Sequence, residues 1–104
     1  MSIELRQQDG ELIARLQGDF DVDRSPAIRK ALLKAIAADQ TLLIDLQAVT
    51  RIDSSAVASL IEVQQAAARK NVEMRLGGVN EPIMRVLRMC RGEEIFRIQA
   101  DASA

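Results

Sequence analysis

The fold of this chain is decided by residues 42–57, which read LLIDLQAVTRIDSSAV. Residues 41–46 are too few and too uniformly apolar for a surface element, so they are predicted to form a central β-strand covered on both faces. An acidic residue and two hydroxyls then precede an apolar stripe, which indicates a helix beginning at Ser54 and Ser55. The amides of a first helical turn lack intrahelical acceptors and suit an anion or a phosphate. We therefore interpret Ser54 as a candidate switch.

Two segments before this stretch alternate between apolar and polar residues. The alternation covers residues 3–6 and 12–17, and the pair Asp9-Gly10 between them is typical of a tight turn, so the sequence predicts a β-hairpin. The next four residues, GDFD at positions 18–21, are predicted to form a loop.

Two helices are indicated by apolar residues at helical spacing. Ser25 is a candidate N-cap with Pro26 at the first helical position, and the first helix is predicted to reach about Ala38. The second helix begins after the switch residue and runs to about Lys70, where Asn71 is a residue type that ends helices.

The last third of the chain predicts two strands and a helix. Residues 72–76 form the first strand, and the glycine pair that follows breaks it. Asn80 is a candidate N-cap for a third helix, which is predicted to end at Gly92. Residues 95–98 are predicted to form a short last strand, and residues 101–104 a loose tail.

The order of these elements is ββαβαβα followed by a short final strand. It predicts an α/β fold, with one domain over residues 1–100 in which helices pack against a small mixed β-sheet. Parallel strand pairs are expected to be joined by right-handed crossovers. A length of 104 residues is near the usual size of one domain, so no second domain is needed.

The composition excludes several classes of function. Fourteen basic residues stand against fifteen acidic ones, and Phe20 and Phe96 are the two aromatic residues, so a nucleic-acid surface is not expected. The sequence has no histidine and one cysteine, Cys90, which leaves no set of ligands for a zinc site and no histidine-based catalysis. We therefore expect neither a metal nor a cofactor, and no enzymatic activity.

The hydropathy pattern bears on the location of the protein. Residues 1–6 lack the apolar core of a signal peptide, and no apolar run approaches the ~20 residues that span a bilayer. We expect a cytoplasmic protein that does not insert into a membrane.

The segment of residues 42–57 resembles the signature of the STAS domain family. The resemblance rests on residues 44–46, Val49 and residues 52–55, and it extends to residues 18–21 and 77–80, so it covers nearly the whole chain. Within the family, this chain is similar to the anti-sigma-factor antagonists of bacteria. The resemblance therefore implies the STAS fold and a role in the regulation of transcription.

What the resemblance implies in detail is partner switching. The unphosphorylated antagonist would bind a serine kinase that also acts as an anti-sigma factor, phosphorylation would release it, and a phosphoserine phosphatase would restore it. Ser54, directly after Asp53, matches the phosphorylated position, with Ser55 as the alternative. The implied partner-binding residues are Asp21, Asp53, Ser54, Ser55 and Ala56.

The same residues also have purely structural interpretations. Ser54 or Ser55 could cap the helix through its side-chain oxygen, and taken alone capping is the more common role. Asp53 could cap the helix and complement its dipole, and this role and partner binding are equally supported. Asp19 is favoured as a loop residue, whereas Asp21 is favoured as an interface residue.

A second function is compatible with the resemblance. In lipid-transporting ABC complexes, a small STAS subunit binds and stabilises the transporter ATPase through the same helix start without phosphorylation. Gly78, Val79 and Asn80 mildly resemble that group. Its motif usually carries threonine and glycine after the aspartate, whereas this chain has the Asp-Ser-Ser form typical of phosphorylated antagonists.

Overall fold

The N-terminal hairpin has the turn that its sequence predicts. In the computed structural model, which describes residues 2–37 and 39–99, Asp9 and Gly10 have φ angles of 50° and 80°. Two positive φ angles in a two-residue loop are the pattern of a type I′ turn. The turn joins β1 (Ser2–Gln8) to the antiparallel strand β2 (Glu11–Phe20).

The rest of the sheet is parallel, as the alternation of strands and helices predicts. Strand β3 (Thr41–Ile52) pairs with β2 on one side and with β4 (Glu73–Gly77) on the other, and β5 (Arg97–Ile98) pairs with β4. The order across the sheet is β1-β2-β3-β4-β5, so β3 is the central strand, as predicted.

The helices pack on one face of this sheet. Their ranges are α1 (Ser25–Ala35), α2 (Ser54–Arg69), α3 (Glu81–Met89) and the short α4 (Gly92–Ile95). Buried side chains of α1, α2 and α3 form one hydrophobic cluster with the strand residues Leu12, Ala14, Leu16, Leu42, Ile44, Leu46, Met74 and Leu76. Because strand residues alternate between faces, these even-numbered residues define the helix-covered face.

The opposite face of the sheet is stabilised in another way. Leu43 is fully buried there, between Ile13 and Arg75 in the strand register. Arg75 forms an ion pair with Glu11, whose side chain is almost completely buried and also accepts a hydrogen bond from Thr41. The central strand is therefore buried on both faces, although helices from the described residues cover one of them.

Several boundaries differ from the sequence prediction. Residues 18–20, predicted as a loop, belong to β2, and β3 continues beyond residue 46 to Ile52, because the two strand ends pair with each other. Register shifts near residues 15–19 interrupt the alternation that would have indicated this pairing.

Smaller corrections concern the ends of the helices. Ser25 is the first residue of α1 and not its N-cap, a position that Arg24 occupies without a side-chain hydrogen bond to the first turn of the helix. Gly92 begins α4, and the last strand is shorter than predicted because Ile95 belongs to that helix. The first helix was predicted to reach about Ala38, but α1 ends at Ala35 because the backbone of Ile36 is extended. The predicted tail at residues 101–104 lies outside the described residues.

Two other boundaries are as predicted. Asn71, with a φ of 59°, follows α2 and ends it, and the side chain of Asn80 caps α3 by accepting a hydrogen bond from the amide of Ile83 at 3.0 Å. Strand β4 begins and ends one residue later than predicted, with Gly77 as its last residue and Gly78 directly after it.

Gly78 holds the connection after β4 against the central strand, and we expect Gly78→Ala to lower the free energy of unfolding by about 2 kcal/mol. A Cβ at this position would lie 2.8 Å from both the Cβ and the backbone nitrogen of Gln47, and the φ of 67° already disfavours a side chain. Urea unfolding measures the loss.

Gly10→Ala is the matched control, because Gly10 also has a positive φ but a Cβ there would meet no atom within 4 Å. It should cost about 1 kcal/mol from the backbone alone. Equal losses for the two variants would show that contact with Gln47 contributes nothing.

Candidate functional site

Asp53 connects the end of β3 to the start of α2. Its backbone is extended, and its carboxylate atom Oδ1 accepts a hydrogen bond from the amide of Ala56 at 3.0 Å. The other oxygen, Oδ2, accepts from the amide of Val22 at 3.0 Å, 31 residues earlier in the chain. Asp53 is therefore the N-cap of α2, and it also fixes the loop that follows β2.

Of the three candidate caps that the sequence offered, the structure selects Asp53 and not a serine. Ser54 and Ser55 are the first two helical residues, directly after the capping aspartate. Ser54 is exposed and Ser55 half-buried, and neither hydroxyl takes part in a hydrogen bond with residues 2–37 or 39–99. Their hydroxyls are therefore not used by the fold, and the Ser54 hydroxyl faces solvent.

Ala56 has a different place from the one that the sequence suggested. We expected it on the partner-binding surface, but the structure buries it completely in the hydrophobic cluster between sheet and helices. Its side chain contributes to packing of the first turn, and its amide is bonded to Asp53. The part of this segment that a partner can touch is Ser54 and the exposed portion of Ser55.

Asp21 organises the loop between β2 and α1. Its Oδ1 accepts hydrogen bonds from the amides of Asp23 and Arg24 at 3.1 and 3.2 Å, and its Oδ2 forms an ion pair with Arg24 at 2.8 Å. Desolvation raises the pKa of Asp21, but the hydrogen bonds and charge of Arg24 outweigh it and hold the pKa below the ordinary value. Asp21 is thus an anion that positions its neighbours in the loop.

Asp19 binds the ends of β2 and β3 together. Its carboxylate accepts a hydrogen bond from the Thr50 hydroxyl at 2.6 Å and lies 3.3 Å from the guanidinium of Arg51. The hydroxyl bond is the main reason why the pKa of Asp19 is lowered, since it outweighs the opposing effect of desolvation, and Arg51 lowers it further. The residue belongs to a strand and not to the predicted loop.

Thr50→Val is expected to raise the pKa of Asp19 toward its ordinary value of 3.8, because the variant removes the largest stabilising contact of the carboxylate. An NMR titration of the Asp19 carboxyl carbon measures this. Because the folded-state pKa is the lower one, the contact stabilises the fold above pH 3.8 and is lost as the pH falls through the folded-state value.

Arg51→Met is the companion variant, since it removes the charge and the hydrogen bond of the guanidinium together and leaves the Thr50 hydroxyl. It should also raise the pKa of Asp19 toward its ordinary value. A rise with Arg51→Met and none with Thr50→Val would mean that Arg51, and not the hydroxyl, determines the titration.

Val22 is a surface residue that sequence analysis did not identify. It is 60% exposed, although it is a large apolar residue, and its amide is held by Asp53. In the sequence, Val22 is distinguished only by its position between Asp21 and Asp23. That pattern does not indicate the hydrogen bond between the Val22 amide and Asp53. We call the surface formed by Asp21, Val22, Asp53, Ser54 and Ser55 the junction surface.

The junction surface brings together four of the five predicted site residues at one end of the sheet. Two features of it matter chemically: a free hydroxyl at a helix start and an exposed apolar side chain beside two carboxylates. No group of three or more metal-ligating side chains is found within residues 2–37 and 39–99. Over the same residues, no helix has the length and apolar character to cross a membrane.

Comparison with known proteins gives a consistent family assignment. The sequence profile of the STAS domain family matches residues 2–103. A STAS-domain containing protein of Pseudomonas aeruginosa is 27% identical over 95 residues, which are 90% of this chain and 94% of the relative.

Two solved structures have the same fold. An anti-sigma factor antagonist from Mycobacterium paratuberculosis superposes with a TM-score of 0.83 at 18% identity, over 93% of this chain and 83% of that one. A sulfate transporter family protein from Wolinella succinogenes superposes with a TM-score of 0.73 at 21% identity, over 88% and 77% of the two chains.

Proposed function

The chain belongs to the STAS domain family, and from this premise we propose that it is a regulatory binding protein of the anti-sigma factor antagonist type, switched by phosphorylation of Ser54. The observation that carries the proposal is that one residue caps the helix while a different, neighbouring residue exposes a hydroxyl. Asp53 supplies the cap, so the exposed Ser54 hydroxyl has no structural bond to lose when it is modified. The fold shared with an anti-sigma factor antagonist supports this class of function.

The proposed partner is a serine kinase that also acts as an anti-sigma factor. In the phosphorylation step, the Ser54 Oγ attacks the γ-phosphorus of ATP, the bond to the bridging oxygen breaks, ADP leaves and the hydroxyl proton is lost to a base of the kinase. A phosphoserine phosphatase would reverse the modification by hydrolysis, releasing inorganic phosphate. The antagonist supplies the hydroxyl, and its partners supply the catalysis.

Within the domain, a phosphate on Ser54 has opposing effects that nearly cancel. It adds roughly 1.5 to 2 negative charges at pH 7. The amides of the first turn and the helix dipole favour that charge by about 0.3–2 kcal/mol, whereas Asp53 repels it across a solvent-screened distance. The fold should therefore change little on phosphorylation.

At an interface the same charge has a large effect. A phosphate that is desolvated against a partner without a matching cation costs several kcal/mol, which corresponds to orders of magnitude in affinity. Val22, exposed beside Asp53, offers an apolar contact that a partner would desolvate together with Ser54. The switch would thus act on binding while the fold stays intact.

We further propose that the protein acts by binding and not by catalysis. A serine nucleophile needs a base to remove its proton, and the sequence has no histidine to fill that role. The carboxylate nearest in sequence, Asp53, already uses one oxygen for Ala56 and the other for Val22.

The experiment that tests the proposal is a pull-down from the source cell with wild-type protein and the variants Ser54→Ala, Ser54→Asp and Ser55→Ala. We expect a serine kinase with wild type, Ser54→Ala and Ser55→Ala, and its loss with Ser54→Asp. Intact-mass analysis of the recovered protein should show one phosphate on wild type and on Ser55→Ala, and none on Ser54→Ala.

A different result would favour the second function. Recovery of a transporter ATPase by all four proteins, with no phosphate on any of them, would assign the chain to the ABC-subunit group, with Ser54 as an unmodified docking residue. A phosphate that persists in Ser54→Ala and disappears in Ser55→Ala would move the switch to the neighbouring serine.

A further inference from the structure

Strand β1 forms one edge of the sheet, and its outer side has no partner strand among the described residues. It is seven residues long, SIELRQQ, and its central residue Leu5 is a large apolar side chain that is 47% exposed. An edge of this length presents a row of backbone groups that can pair with another strand. The question is which strand fits.

The hairpin turn determines which backbone groups of β1 point outward. Gln8 and Glu11 flank the type I′ turn, so the carbonyl of Gln8 accepts a hydrogen bond within the hairpin. In an antiparallel ladder, successive residues alternate between inward-pointing and outward-pointing backbone groups. Ile3, Leu5 and Gln7 therefore direct their amides and carbonyls away from β2.

The sequence of this edge is complementary to itself about Leu5. If two copies pair in antiparallel orientation with Leu5 opposite Leu5, then Ile3 lies opposite Gln7, and Glu4 of each copy lies opposite Arg6 of the other. We infer that this edge of β1 binds the same edge of a second copy of the chain in this register. The two five-stranded sheets then form one continuous sheet of ten strands.

The backbone and the charges agree on this register. With Leu5 at the two-fold axis, every hydrogen-bonded pair consists of outward-pointing residues, and each pair of Glu4 with Arg6 occupies a non-hydrogen-bonded position, where side chains are closest. A shift by one residue would place an outward-pointing residue of one copy opposite an inward-pointing residue of the other, so the backbone hydrogen bonds between the two strands could not form. Shifting by two residues places Glu4 opposite Glu4 or Arg6 opposite Arg6, which is repulsive.

The two charged residues are available for this contact. None of the ion pairs within residues 2–37 and 39–99 uses Glu4 or Arg6. Charges on an edge strand commonly prevent association. Here the charges of Glu4 and Arg6 have opposite signs and lie symmetrically about the exposed Leu5. This arrangement favours pairing with a second copy of the same strand. The edge lies two strands away from β3, so the junction surface stays open.

The test is sedimentation equilibrium of the wild-type protein from about 1 µM to about 1 mM, a range that covers weak association. We expect a monomer–dimer equilibrium. The single variants Glu4→Arg and Arg6→Glu oppose like charges twice at the interface, so each should raise the dissociation constant by about tenfold or more. Glu81→Arg, the same charge reversal at an exposed position on α3, should leave it unchanged.

Mixing the two β1 variants provides the sharpest result. One chain then carries two arginines at the edge and the other carries two glutamates. A heterodimer of the variants therefore has both attractive pairs and should form more tightly than either variant dimerises alone. A thermal melt of each variant verifies that it is folded. A wild-type monomer at all concentrations would overturn the inference, and so would a dimer that both charge reversals leave intact.

Discussion

Ser54→Asp is expected to weaken binding to the recovered kinase by about 100-fold or more, while Ser54→Ala binds at least as tightly as wild type. A carboxylate left desolvated and unpaired at an interface costs several kcal/mol, and about 2.7 kcal/mol corresponds to a factor of 100 in the dissociation constant. Phosphoserine, with up to twice the charge, should weaken binding further. Isothermal titration calorimetry with purified partner measures the affinities of wild type, the two variants and the phosphorylated form.

The same substitution should leave the fold intact, and this separates a binding switch from a folding switch. An acidic residue in the first turn is favoured by the helix dipole, so the free energy of unfolding of Ser54→Asp should stay within about 1 kcal/mol of wild type. Ser55→Asp is the positional control, because it places the same charge one residue away on a half-buried side chain. A Ser54→Asp protein that binds like wild type would contradict the proposed switch.

The sequence predicted the order of elements and the central strand because those depend on local patterns. The uniformly apolar run that starts β3 and the cap of α3 at Asn80 can each be identified within a few residues. The ends of β2 and β3 could not be predicted. Their pairing extends to Phe20 and Ile52 through two register shifts, and a shifted ladder does not produce the period of two that marks a strand.

The cap of α2 shows why the site was harder to predict than the fold. Asp53, Ser54 and Ser55 stand in a row, and all three residue types cap helices well. Asp53 becomes the cap because β3 ends directly before it and because its carboxylate also accepts a hydrogen bond from the amide of Val22, 31 residues away in sequence. A contact of that kind leaves no local pattern, so the candidate caps Asp53, Ser54 and Ser55 could not be ranked from the sequence, and the exposed Val22 was not identified at all.

The face of the sheet opposite the helices also depends on contacts that are distant in sequence. The uniformly apolar run of residues 41–46 indicated that β3 is buried on both faces, but it did not indicate what covers each face. The ion pair between Glu11 and Arg75 joins residues 64 positions apart, and it stabilises the second face with charged side chains. Long-range pairing of this kind depends on the strand order, which no single segment determines.

Asp53→Ala is expected to lower the free energy of unfolding by about 3 kcal/mol, the largest loss among the stability variants considered. The carboxylate makes two independent hydrogen bonds, to the amides of Ala56 and Val22, and alanine removes both. A lost N-cap costs about 1 kcal/mol, and a lost hydrogen bond to a charged group about 1.5–3 kcal/mol. Urea unfolding, with an unchanged dependence on denaturant concentration, measures the total.

Asp53→Asn divides this total between its two bonds. The amides of Ala56 and Val22 bond to different oxygens of the carboxylate, and asparagine has an NH2 group in place of one of them, so it keeps an acceptor for one amide and loses it for the other. We expect a loss of about half that of Asp53→Ala, together with faster hydrogen exchange at whichever amide loses its acceptor. If exchange accelerates at Val22 while the cap survives, the loop after β2 is released without disturbing α2. The same variant then also tests whether the position of this loop matters for partner binding at the junction surface. An asparagine variant as stable as wild type, with both amides still protected, would show that the second bond contributes nothing, and the loop would then have to be positioned by the Asp21 turn alone.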